Sequence, residues 1–337
     1  MAISNGSDSN GSRNPLTPSE AALARSLYDA IKKASNKISV ERLAKIIGAL
    51  DPDSLRRLLD AITIYSEGKK VETQLLSAIE VGGVDAVERI KELGNKIALP
   101  VFLPSKVEIL NPKPMANMDF TPIPAWASPN PPTAEFTLSF DKTNPNSVAY
   151  ASRRAGQLVT SIDGLTRRAI QDIITEAFTQ QIDYRTTAKR IKNIVGLHPR
   201  WAKAVIKFEN EEIRRLTKMG ISEERARATA ADRAEKYADR LLRARASMIA
   251  RSEINMAEQA GRAEGWQQAF DAGYIDPSSM KMWMTAQDER TCPVCAPLDG
   301  ETVEWNGVFS IGYETPGFVH PHCRCTMVLI PPDRGTR

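Results

Sequence analysis

Cysteine and histidine are scarce in this chain of 337 residues, which carries four of the first and three of the second. All four cysteines fall between Cys292 and Cys325. That clustering leaves nothing for a chain-wide disulfide frame and favours a local metal site. Long apolar runs are missing as well. No stretch reaches the roughly 18 residues that a membrane-spanning helix requires, so no membrane association is expected. The opening MAISNGSDSNGSRNP has no apolar centre and does not read as a secretory signal; residues 1–16 read as a solvated, disordered arm. Without export, the thiols are expected to sit in a reducing cytoplasm, where disulfides are rare. A strong charge excess is lacking too. The 45 Lys and Arg against 41 Asp and Glu leave a net charge of +4, which excludes a strongly acidic, tail-like protein and makes only local charge informative.

The composition that remains, 42% apolar and 26% charged, is that of an ordinary folded protein with room for about two domains. Thr17-Pro18-Ser19-Glu20 combines an N-cap hydroxyl, a proline at the first helical position and a glutamate three residues on, the pattern of a capping box. Apolar residues then recur at helical spacing through Leu23, Leu27 and Ile31. Further helices are predicted over Val40 to Leu50, Asp53 to Tyr65 and Val84 to Leu93, punctuated by Asp51-Pro52 and Gly82-Gly83. Residues 17–97 thus read as a helical docking region, separable from the rest, so that its truncation is expected to leave the C-terminal half folded. From Pro100 to Pro145 lie ten of the 21 prolines, which rule out regular helix for most of that stretch. Residues 98–146 read as a proline-rich connector with room for strands such as Val101 to Leu103 or Ala134 to Phe140.

From Ser147 the pattern is helical again, with a break expected at Asp163-Gly164, a helix near Thr186 to Ile194 ending at Gly196, and Pro199 opening the next. The proline-free, Ala- and Arg-rich run from Ser222 to Phe270, bounded by Gly220 and Gly273, has the composition of long helices packed through small residues. Past Gly273, Met280 to Thr285, Thr302 to Trp305, Phe309 to Ile311 and Thr326 to Ile330 read as strands of a small sheet. The expected class is α+β and mostly helical: N-terminal helices, connector, and a helical body with a small knuckle-bearing sheet over 147–331.

Within that sheet lies the sharpest chemical pattern, Asp288 to Cys295 followed by His320-Pro321-His322-Cys323-Arg324-Cys325. Cys292 and Cys295 have the two-residue gap that lets both thiolates of one turn reach the same ion, and His320 and Cys323 repeat the gap downstream. Thiolate and imidazole are donors suited to zinc, so the predicted ligands of a structural zinc ion are Cys292, Cys295, His320 and Cys323. Cys325 lies two residues from Cys323, on the same face if the segment is extended, and is an alternative fourth ligand, as is His322. The competing reading is a set of reduced cysteines with no metal. Glu289 and Asp299 could be offered as a base beside a catalytic ion, and no spacing singles either out.

These residues also carry a resemblance. Ser247-Met248-Ile249-Ala250-Arg251-Ser252-Glu253, then Asp288 to Cys295, Leu298-Asp299-Gly300, His320-Pro321 and Cys323-Arg324-Cys325 resemble, in order and spacing, the phage Mu protein F-like, or head-morphogenesis, family of minor head proteins. The likeness runs over roughly Ser147 to Ile330. Ser252 departs from the commoner threonine before the glutamate and keeps its hydroxyl. The resemblance implies a minor capsid protein of a tailed phage, assembled in the bacterial host cytoplasm. It places the protein in the capsid interior near the portal vertex, with portal, major capsid or scaffolding protein as partners and a part in head assembly, DNA packaging or ejection. It implies no catalytic residues, and no enzyme activity is expected. Arg251 and Glu253, two apart on a helix, face different ways and are expected to lock the helix to the sheet through ion pairs with Asp288 and Arg290.

Between Gln181 and Arg262 the chain carries 19 Lys and Arg against 11 Asp and Glu. Arg214, Arg215, Lys218, Arg240, Arg243 and Arg245 are candidate contacts to packaged double-stranded DNA, sequence-blind and salt-sensitive. The competing reading there is a solvated helix face. A free-standing, sequence-independent DNA-binding zinc protein is the alternative function.

Overall fold

The computed structural model describes residues 16–49, 52–61, 68–96 and 138–332. The expected arm, except for Leu16, most of the connector and the strand over Val101 to Leu103 lie outside the described residues. Helices α1 (Pro18–Asn36), α2 (Val40–Gly48), α3 (Pro52–Ala61), α4 (Gly68–Lys96), α5 (Pro145–Thr179), α6 (Tyr184–Ile194), α7 (Pro199–Lys218) and α8 (Glu223–Asp271) precede strands β1 (Met280–Met284), β2 (Thr302–Glu304) and β3 (Thr326–Ile330). The protein is mostly helical with a small C-terminal sheet, as its patterning predicts.

The chain forms two compact units, each built from an early and a late segment: Met1–Leu75 with Tyr150–Glu253, and Leu76–Ala149 with Ile254–Arg337. In the first unit, the Thr17 hydroxyl accepts the Glu20 N–H at 3.2 Å while the Glu20 carboxylate accepts the Thr17 N–H at 2.8 Å, so the predicted capping box closes. α1 buries Leu23, Leu27 and Ile31, and α2 buries Leu43 and Ile47. α2 packs against α6. α6 starts at an Asp183 cap and α7 at a His198 cap followed by Pro199. Between them Gly196 turns with φ +79°, a left-handed conformation that a side chain disfavours. A Cβ there would also strike Ile31. Along α8, Ala226, Ala230, Ala234, Ala238, Leu242, Ala246 and Ala250 are buried; small side chains at every fourth position let neighbouring helices approach closely.

In the second unit, Ala86 and Ile90 of α4 share a core with Trp266, Ala269, Ile275 and Met327. β1 is the central strand of an antiparallel sheet ordered β2-β1-β3, with Met280 opposite both Glu304 and Ile330. Lys281, Trp283 and Thr285 point to the buried side. Gly220 and Gly273 stop α7 and α8 with φ of +82° and +78°, as expected.

Three expectations are corrected. Gly82-Gly83 does not punctuate a helix: α4 runs through it, because Gly82 faces the Glu258 carbonyl of α8 and Gly261 of α8 faces the Ile79 carbonyl of α4, with no room for a Cβ on either. Asp163-Gly164 does not break α5 either. Phe309 to Ile311 is a turn rather than a strand; the Phe309 N–H donates to the Tyr313 carbonyl at 3.0 Å, and Gly312 adopts φ +86°.

Candidate metal centre

The turn after β1 and the segment before β3 bring the cysteines together. The Cys295 N–H and Ala296 N–H both donate to the Cys292 carbonyl, at 3.1 and 2.9 Å, closing a tight turn. The Cys295 N–H also lies 3.3 Å from the Cys292 Sγ. His320 Nε2 lies 3.0 Å from the Cys292 Sγ and 3.3 Å from the Cys295 Sγ, and Cys295 and Cys323 sulfurs are 4.0 Å apart. A tetrahedral zinc with Zn–S of about 2.3 Å and Zn–N of about 2.0 Å needs sulfur–sulfur separations near 3.8 Å and sulfur–nitrogen separations near 3.5 Å. The donors are therefore grouped at close to the required spacing. They form two overlapping sets, Cys292, Cys295 and His320, and Cys295, Cys323 and Cys325, each with ligand atoms within 4.8 Å of one another. Cys295 belongs to both. His322, exposed and at φ +61°, belongs to neither.

The surroundings suit a cation. His320 Nδ1 sits 2.8 Å from the Pro321 carbonyl oxygen; facing an acceptor, it carries the ring proton, and Nε2 offers its lone pair to the sulfurs' side. Burial opposes ionisation of Cys292, but the N–H groups of Cys295 and Val294 and the His320 ring outweigh it and bring its pKa below the ordinary thiol value. For Cys323 a hydrogen bond with Cys325 prevails over burial and, with the N–H groups of Cys325 and Gly317, lowers the pKa to about 5. Cys295 is pushed the other way, to about 12, by burial and by its cysteine neighbours, and contact with Cys323 together with burial raises Cys325 far above the thiol range. Two sulfurs poised to ionise thus share one apolar site with two that hold their protons. A divalent ion resolves the conflict by displacing those protons. The Trp283 indole N–H, buried without a hydrogen-bond acceptor, favours the charged form of Cys325 and would be satisfied by it. Trp283, Leu298 and Phe309 wall the cluster, with Phe309 edge-on to Trp283 at 5.1 Å.

α8 reaches this site through a polar row. Asn255 Nδ2 donates to the Cys323 carbonyl at 2.7 Å, and Arg262 donates to the Thr326 hydroxyl at 2.8 Å. Gln259 bridges the two, and the remaining Arg262 nitrogens hold Asp85 of α4 at 2.7 and 3.1 Å. Sequence reading missed these residues. Their spacing of four and three along α8, which puts them on one face, is the signal that could have found them.

Residues 168–328 match the family model of phage Mu protein F like protein, a span that includes every donor and the α8 row. This segment is a phage Mu protein F-like domain. No curated protein and no solved structure gives a significant match. Members of the family are phage head-morphogenesis proteins.

In this Mu protein F-like chain, the expected ion pairs form with other partners. Both Glu253 oxygens receive Arg154 of α5, at 2.7 and 2.9 Å, in a pair that leaves Glu253 buried. Arg251 lies 3.9 Å from Glu20. Asp288 takes Arg324 at 2.5 and 2.6 Å, with Arg290 of its own turn at 3.4 Å. The partners differ because Arg154, Glu20 and Arg324 are distant in sequence, beyond what local spacing reveals. Among the basic residues, Arg245 is corrected outright. It is only 5% exposed, donates to the Gly196 carbonyl, and burial lowers its pKa to about 10, so it braces the α6–α7 turn. Arg215 and Arg243 are exposed but paired with Glu212 and Asp239. Arg240 lies over the Tyr237 ring, and Arg214 and Lys218 are exposed.

Because the Cys295 pKa is pushed up by burial and that of His320 is raised by the Pro321 carbonyl and nearby thiolates against the effect of burial, metal must compete with protons at neutral pH. Protons oppose binding, so apparent zinc affinity is expected to climb from about pH 6 to about pH 8 with at least one proton released per ion. Isothermal titration in buffers of different ionisation enthalpy checks the number; a pH-independent affinity would contradict the donor set.

Proposed function

We propose that this Mu protein F-like chain is a minor capsid protein of a tailed phage, sited in the head interior near the portal vertex. There it binds portal and capsid or scaffolding protein and contributes to head assembly, DNA packaging or ejection. The observation that carries the proposal is the coincidence of the family span with a donor cluster that is buried at Cys295, Cys323 and Cys325 and half-buried at Cys292 and His320. Cys295, Cys323 and Cys325 are 2–4% exposed, which favours a closed structural zinc site over a catalytic one, since catalytic zinc keeps a position for water. Cys292, Cys295, His320 and Cys323 would hold the ion. Bound there, zinc supplies directed bonds and no redox chemistry, and the chain acts as a scaffold rather than an enzyme. Among the described residues, no helix is long and apolar enough to cross a membrane.

Co-purification with portal tests the assignment. The full chain is expected to be retained by immobilised portal protein and to sediment with procapsids as a low-copy component; its absence from every head fraction would overturn it. The alternative of sequence-independent DNA binding draws on Arg214 and Lys218, exposed on α7. Affinity for duplex DNA that falls steeply with salt in the absence of portal would favour it.

A further inference from the structure

The donors come from two turns far apart in the chain, and one ion pair spans the same gap. Asp288 lies four residues before Cys292, and Arg324 lies between Cys323 and Cys325. The guanidinium meets the carboxylate fork to fork, Nη1 on one oxygen at 2.5 Å and Nη2 on the other at 2.6 Å. The same carboxylate accepts the Arg290 N–H at 3.1 Å, which fixes it on its own turn. Arg324 is fixed on its side as well, because the preceding Cys323 carbonyl is held by Asn255 of α8. Two-point contact of planar groups sets orientation as well as distance.

Resting on the zinc reading above, we propose that Asp288 and Arg324 are positioning residues for the metal, a latch that holds the two donor turns in register before the ion arrives. Neither side chain is a donor. Their contact closes the same loop that the ion must close, so the cost of ordering that loop is met by the pair and is not subtracted from metal binding. Burial alone does not do this, for the pair sits at the rim, where Asp288 and Arg324 side chains are 27% and 36% exposed. Hydrophobic contacts around Trp283 fix the floor of the site, and the latch fixes its mouth.

The test is zinc affinity of the full-length protein, measured by displacement of cobalt, whose visible spectrum reports the ligand set. Asp288→Asn and Arg324→Gln are each expected to weaken zinc binding about 10- to 100-fold, the range for residues that orient ligands from outside the coordination sphere. The cobalt spectrum should stay that of the wild type. Arg324→Lys, which keeps the charge and loses the fork, should fall between. The exchanged pair Asp288→Arg with Arg324→Asp should recover most of the loss. Should either single variant fail to fold, Arg324→Lys and the exchanged pair still decide. A purely structural salt bridge would lower the melting temperature with and without metal and leave affinity unchanged, and that result overturns the latch. Failure of the wild type to take up cobalt or zinc would instead overturn the metal reading itself.

Discussion

Replacing Cys295 by serine is expected to abolish stoichiometric zinc binding and to unfold the sheet at the end of the chain. The reason is its position: Cys295 is the one sulfur common to both donor groups, 3.3 Å from His320 and 4.0 Å from Cys323. Losing it disconnects the two turns. A structural zinc contributes on the order of 10–16 kcal/mol to the folding of small zinc peptides. Here the Trp283–Phe309 contact and the α8 row hold part of the sheet independently, so a loss of about 5 kcal/mol in the second unit is expected. Cys325→Ser provides the contrast. With Cys292, Cys295, His320 and Cys323 left in place, zinc should remain, and the cost should be about 1–3 kcal/mol for a buried hydroxyl without a partner. Metal analysis together with near-ultraviolet dichroism of the tryptophans during denaturation checks both. Equal metal content in Cys295→Ser and wild type would sink the expectation.

The second large effect concerns glycine. Gly82→Ala or Gly261→Ala is expected to destabilise the second unit by about 3 kcal/mol or more, although alanine is the better helix former by about 1 kcal/mol. Each new methyl would overlap a backbone carbonyl oxygen of the other helix, Glu258 for Gly82 and Ile79 for Gly261. A backbone atom cannot rotate aside, so α4 and α8 must separate, and the Ala86, Ile90 and Trp266 core loosens with them. The same substitution at Gly156 or Gly164 in α5 meets nothing within 4 Å and should stabilise by about 0.5–1 kcal/mol. Chemical denaturation of the four variants reads the opposite signs. A loss at Gly164 as large as that at Gly82 would contradict close approach as the cause.

That contrast also explains what could be read from the amino-acid order. Local chemistry was legible: the Thr17 cap, the stops at Gly220 and Gly273, the β1 and β3 strands and the grouping of cysteines with His320 all depend on neighbours within a few residues. Gly82-Gly83 and Asp163-Gly164 were misread as breaks because a helical glycine's role is set by what lies opposite, Glu258 in one case and open space in the other. Arg245 looked like a candidate phosphate contact because composition does not reveal that one arginine of a basic run points inward to the Gly196 carbonyl. The partners of Glu253 and Asp288 were missed for the same reason, since Arg154 and Arg324 are brought to them only by the fold. Of the alternatives for the fourth ligand, His322 stands outside both donor groups, whereas Cys323 and Cys325 both share a group with Cys295.

X-ray absorption at the zinc edge of the purified, full-length protein tests the central claim most directly. The account predicts about one zinc per chain, bound by three sulfurs near 2.3 Å and one imidazole nitrogen near 2.0 Å. Protein free of metal after purification and reconstitution with zinc, or zinc surrounded by oxygen alone, would contradict it.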